Sequence, residues 1–112
     1  MTTASCAIPQ LDETTFEAAI LASPLPIFLH FAERDCEGCE ITKRCLSDVM
    51  EQAHGRVKCF CVHEAKNPGV AARYRVGQYP TILVFREGRV ARRLVGHPLP
   101  GELELILRTE LP

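Results

Sequence analysis

The sequence predicts an α/β fold with a central mixed β-sheet flanked by helices on both faces, and three features predict it. Residues 25–31 and 57–62 are nearly continuous apolar runs, the pattern of strands buried on both faces. Between them, residues 36–54 repeat apolar side chains at helical spacing, which makes a strand-helix-strand unit with a right-handed crossover. Residues 80–85 and 89–95 flank Arg86-Glu87-Gly88 as an antiparallel hairpin, so parallel and antiparallel pairing meet in one sheet.

Each element carries its own signal. Residues 1–10 are uncharged and contain Pro9, which suits a tail or a short edge strand. Residues 11–21 place acids at the front and Phe16, Ala19 and Ile20 at helical spacing, a first helix that stops before Pro24. In residues 36–54 the apolar face is Cys45, Leu46, Val49, Met50 and Ala53, with Asp35 placed as N-cap and Gly55 closing the helix. Asn67-Pro68-Gly69 opens a short helix through Tyr74. Residues 89–95 alternate charged and apolar side chains, as a half-exposed edge strand does. Leu103, Ile106, Leu107 and Leu111 give residues 101–111 the apolar face of a final helix. No repeat or linker interrupts this order, and 112 residues suit one domain, so residues 1–112 are expected to fold as a unit.

Composition narrows the function. The chain is 46% hydrophobic and 24% charged with a mean hydropathy of +0.01, the balance of a packed globule. Thirteen Lys and Arg against fourteen Asp and Glu leave a formal charge of −1, which predicts neither a nucleic-acid nor a membrane partner. The run Arg89, Arg92 and Arg93 reads as a solvated strand face. No basic residue lies between Met1 and Arg34, and Pro24 and Pro26 break the apolar stretch 18–31, so neither a secretion signal nor a membrane span is expected. A reducing cytoplasm is the expected compartment, and there six cysteines point to thiol chemistry or metal binding rather than to structural staples.

Cys36-Glu37-Gly38-Cys39 is a C-x-x-C at the loop-to-helix junction that follows a buried strand. Two thiols at that spacing can close a small disulfide ring, and the helix N-terminus lowers the pKa of the leading thiol. Cys36 is then the nucleophile that attacks a substrate disulfide, and Cys39 resolves the mixed disulfide. Pro80 begins an otherwise buried strand, and the Tyr79–Pro80 bond is a candidate for the cis form. A rival arrangement adds Cys59 and Cys61, two apart on one strand face, to make four thiolates for a zinc ion; against it, small buried cysteines are commonly inert. Cys45 on the buried helix face and Cys6 in the tail read as bystanders, and His54, His63 and His97 form no ligand set.

On these residues the chain resembles the thioredoxin family over nearly its whole length. The resemblance rests on the strand at 27–31, the Cys36–Cys39 motif, Asn67-Pro68-Gly69, Tyr79-Pro80-Thr81, Gly88, and Val95-Gly96. It implies a thioredoxin fold, a dithiol-disulfide site at Cys36 and Cys39, and a cis-Pro80 opposite it. It also implies a groove for an extended peptide lined by Tyr79, Pro80, Thr81, Val95 and Gly96. The expected activity is thiol-disulfide oxidoreduction, as a protein disulfide reductase with disulfide-containing protein substrates, a reductase or other electron donor, no cofactor and a monomeric state. A binding or chaperone module on the same fold is the alternative from another class.

The chain departs from the family at the motif itself. The usual Trp-Cys-Gly-Pro-Cys-Lys is here Asp35-Cys36-Glu37-Gly38-Cys39-Glu40, and the chain has no tryptophan. Three acids near two thiols oppose a thiolate, which predicts a more reducing pair and a preference for basic partners. His30 stands where the family keeps a buried aspartate and Cys61 where it keeps a lysine, so His30 is read either as the proton acceptor for Cys39 or as a packed, hydrogen-bonded strand residue. Arg44 replaces the family's kink proline, which predicts a straighter helix.

Overall fold

Among residues 8–110, which the computed structural model describes, four strands form one sheet: β1 (Ile27–Ala32), β2 (Lys58–His63), β3 (Thr81–Arg86) and β4 (Arg89–Val95). Their order is β2-β1-β3-β4, with β1 parallel to β2 and antiparallel to β3, and β4 antiparallel to β3. The helices are α1 (Glu37–Ala53), α2 (Pro68–Arg73) and α3 (Glu102–Glu110), preceded by a π-helical turn at Glu17–Leu21.

The central strand explains its own sequence. All six residues of β1 are buried because each face is covered. Side chains alternate, so Phe28 and Ala32 pack with Leu46 and Val49 of α1 and Leu103 and Ile106 of α3. Ile27, Leu29 and Phe31 pack on the opposite face with Phe16, Ile20, Val70 and Ala71. Cys59, Cys61, Ile82 and Val84 share the α1 face.

Two expectations are corrected. The first helix is only the turn Glu17–Leu21, because the Asp12 carboxylate accepts the amides of Thr14 at 2.9 Å and Thr15 at 3.1 Å and holds that segment as a turn. Asp35 is not the N-cap of α1; it takes a left-handed φ of 53° in the preceding turn, and Cys36 caps the helix. The helix ends on left-handed His54 and Gly55, and α1 runs unbroken for 17 residues where Arg44 replaces a proline. Gln10 bridges to Cys61 on the outer side of β2, through Cys61 N–H to Pro9 O at 2.8 Å and Leu11 N–H to Cys61 O at 2.9 Å. Cys6 and Leu111 lie outside the described residues.

The hairpin turn needs its glycine twice over. Gly88 has φ +80°, and a Cβ there would sit 2.9 Å from the Leu21 carbonyl oxygen. Glu110 on α3 is buried and accepts from Arg92 Nε at 2.8 Å, with Arg86 3.7 Å away, which fastens α3 to the β3–β4 hairpin.

Candidate active site

The site forms where β1 ends. After Ala32 the chain turns through Glu33, Arg34 and Asp35, and Cys36 is extended before the first turn of α1. Cys36 and Cys39 are joined by a disulfide with a Cα–Cα distance of 5.1 Å. The Cys39 backbone N–H donates to Cys36 Sγ at 3.0 Å, so an amide of the first helical turn is aimed at that sulfur. The two cysteines differ in access: Cys36 is half-buried and Cys39 is 1% exposed within the α1 core.

Opposite the disulfide, the Tyr79–Pro80 peptide bond is cis, as the sequence anticipates. Gly38 lies against this proline. A Cβ on Gly38 would meet Pro80 Cδ at 3.1 Å, so the motif packs closely against the cis-proline at this position. Thr42, fully buried, donates its hydroxyl to the Gly38 carbonyl at 2.8 Å, and Thr81 donates to the Gln78 carbonyl at 2.7 Å. Pro80 O accepts the Gly96 N–H at 2.8 Å, which brings the loop after β4 beside the cis-proline. Val95, 54% exposed, and Leu99, 67% exposed, make that side apolar. Tyr79 is half-buried, and its phenol is pushed up by burial and then by the charges of Glu64 and Glu33.

The acids on the other side are all exposed: Asp35, Glu37 and Glu40, the last paired with Lys43 Nζ at 3.3 Å. On the α1 face of the sheet, His30 and Cys61 are cross-strand partners in register, with His30 Nδ1 3.9 Å from Cys61 Sγ. His30 is 0% exposed, and its Nε2 has no hydrogen-bond partner among the described residues. Burial, and then the Lys43 charge, lowers its pKa from 6.5 to about 4, so the imidazole is neutral at pH 7.

Among the described residues the remaining thiols do not assemble a metal centre, and no three His, Cys, Asp or Glu side chains are grouped to hold an ion. Cys36 and Cys39 are bonded to each other, and burial pushes the Cys59 thiol up to about 12, which disfavours the thiolate that zinc requires. Cys45 is half-buried, its pKa raised by burial and by Asp48 and Glu104. The basic run is used internally in part, Arg92 on Glu110 and Arg93 on the Tyr74 carbonyl. No helix among the described residues is long and apolar enough to cross a membrane.

Sequence reasoning missed Thr42 and His97. Thr42 had a local signal, since a threonine four residues after Gly38 can reach its carbonyl along a helix. His97 had none, because its place beside Gly38 depends on how the loop after β4 folds back.

A disulfide at a helix N-terminus, its first cysteine half-buried and its second buried, with a cis-proline facing it from a mixed sheet, defines a thiol-disulfide oxidoreductase. The family model described as thioredoxin matches residues 7–108. The chain belongs to the thioredoxin family. It is 28% identical over 90 residues to the thioredoxin of Synechocystis sp., covering 80% of this chain and 84% of that one. Identity and coverage are the same for thioredoxin 1 of Nostoc sp.. The chloroplastic thioredoxin M3 of Oryza sativa subsp. japonica is 26% identical over 99 residues, covering 84% of this chain and 57% of that one. Family members act on disulfide-containing substrates together with a reductase.

Proposed function

We propose that the protein is a protein disulfide reductase in which Cys36 attacks and Cys39 resolves. The observation that carries this is the unequal burial of the two cysteines, with the amide of Cys39 aimed at Cys36 Sγ at 3.0 Å. Once reduced, the pair presents Cys36 to the incoming substrate and keeps Cys39 for the second step. The Cys36 thiolate attacks a substrate disulfide, one substrate sulfur leaves, and a mixed disulfide remains. Cys39 then attacks Cys36 Sγ, the second substrate sulfur leaves, and the pair has given up two electrons. An electron donor of the reductase type restores the dithiol.

Tyr79, Pro80, Thr81, Val95 and Gly96 form the groove in which an extended substrate segment lies beside the disulfide. His30 serves proton movement at Cys39 in a restricted sense. A proton taken onto His30 is held against its burial, so this imidazole passes a proton on and does not store it. Asp35, Glu37 and Glu40 select for basic segments around the substrate disulfide, and Gly38 and Cys61 support the loop and the layer beneath it. The protein acts as a single-domain monomer in the cytoplasm and uses no cofactor or metal, with disulfide proteins as partners and neither nucleic acid nor membrane.

Trapping tests this. Reduced Cys39→Ser incubated with a disulfide-bonded protein should accumulate a mixed disulfide mapped to Cys36. Trapping through another cysteine, or none in a folded variant, refutes the assignment.

A further inference from the structure

His97 lies against the disulfide loop without a part in the mechanism above. A Cβ on Gly38, the residue before Cys39, would be 3.9 Å from His97 Cδ2. The loop carrying this histidine is fixed, because Gly96 has φ +87° and its N–H donates to Pro80 O at 2.8 Å. His97 Nδ1 lies 3.4 Å from the carbonyl oxygen of Pro98. A carbonyl oxygen only accepts, so Nδ1 carries the proton and Nε2 keeps its lone pair. Cδ2 is bonded to Nε2, so the ring edge nearest Gly38 is the basic edge.

We propose that His97 is the proton-transfer group for Cys36: Nε2 takes the proton of the Cys36 thiol and delivers it to the sulfur that leaves the substrate. The proposal rests on the reading of Cys36 as the attacking thiol. In the first step the Sγ–H bond breaks, the proton moves to Nε2, and a thiolate faces an imidazolium. The thiolate then bonds to one substrate sulfur as the substrate S–S bond breaks. The departing sulfur keeps the electron pair and takes the proton from Nε2. When Cys39 displaces the second substrate sulfur, its own proton completes the second substrate thiol. Two electrons have passed from the protein to the substrate.

The charges on the surrounding elements give this step its use. Asp35, Glu37 and Glu40 on the active-site turn and α1 oppose a thiolate at Cys36, and Glu40 is engaged by Lys43. Tyr79 precedes Pro80, and Cys45, Asp48 and Glu104 line the hollow beside Pro98 and Leu99. An imidazolium on the same rim offsets those acids while the thiolate exists. Histidine is the side chain that ordinarily exchanges a proton between pH 5 and 8.

The test compares wild type with His97→Asn and His97→Gln. Reduced protein is alkylated with iodoacetamide from pH 5 to 10, with modification of Cys36 read by mass spectrometry. Turnover of a disulfide-bonded protein with dithiothreitol is followed in parallel. Both variants should alkylate Cys36 about 10-fold more slowly at pH 7, with the gap closing above about pH 9, where the thiol ionises unaided. Superimposed profiles overturn the role of His97, and so does a loss that is equal at every pH. In either case wild-type turnover leaves the reductase reading standing. Wild-type protein without turnover overturns that reading itself.

Discussion

The layer on the α1 face of the sheet and the rim around the disulfide use the same kinds of side chain to opposite ends. In the buried layer, His30 is pushed down to about 4 and Cys59 up to about 12, so both are neutral at pH 7. On the rim, His97, Asp35, Glu37 and Glu40 are exposed, where water and salt screen the carboxylate charges. A histidine or a cysteine in this protein is therefore defined by its depth. Chemistry concentrates where the two regions meet, with Cys36 reaching the rim and Cys39 belonging to the layer.

The largest effect should come from breaking that junction. Cys36→Ser is expected to abolish reduction of a protein disulfide, leaving only the dithiothreitol background in a turbidity or thiol-release assay. Persistent turnover would erase the distinction between the two cysteines.

Depth has a pH signature. His30 has a folded pKa of about 4 against an unfolded 6.5, so between those values the unfolded chain binds more protons. Its contribution is complete above pH 6.5 and is lost as pH falls, by about 3 kcal/mol at pH 4. Urea unfolding at pH 7.5, 5.5 and 4 should show that loss in wild type and a flatter profile in His30→Leu. Equal slopes in the two proteins would sink the argument.

Smaller effects sharpen the rim. Gly38→Ala places a methyl 3.1 Å from the Pro80 ring, which cannot swing aside as a flexible chain would, so about 1 kcal/mol of stability should be lost in thermal unfolding, together with turnover. An unchanged melting curve would mean that the loop gives way freely. Replacing the rim acids in Asp35→Asn/Glu37→Gln should raise the reduction potential by no more than about 30 mV, because exposed charges are screened. Differential alkylation in redox buffers measures it. A fall in potential contradicts the expected sign, and a wild-type value far above about −270 mV, that of an ordinary thioredoxin, contradicts the reductase role.

Local patterns were legible in the sequence. The apolar run at 27–31, the Cys36–Cys39 spacing and Pro80 at a strand start each carry their meaning within a few residues. Counting from Cys36 also placed His30, and the observed register sets it beside Cys61. The errors arose where side chains compete with the backbone. Asp12 looked like the start of a long helix, but its carboxylate holds two amides in a turn, and Asp35 was displaced as cap by the sulfur of Cys36. His97 was unreadable for a different reason, since its neighbour Gly38 is reached only after the sheet has closed.

The two sides of the sheet also bear on whether copies of the molecule stay apart. Beyond β2 the backbone is partly occupied, with both the N–H and C=O of Cys61 bonded to residues 9 and 11. Beyond β4 lies the other margin, where Arg89, Arg92 and Arg93 crowd a strand whose register with β3 slips between Val84 and Phe85. An irregular strand bearing several cations is a poor template for another sheet, because a second copy would bring the same charges against it. Resistance to aggregation is thus built into the edge strand β4.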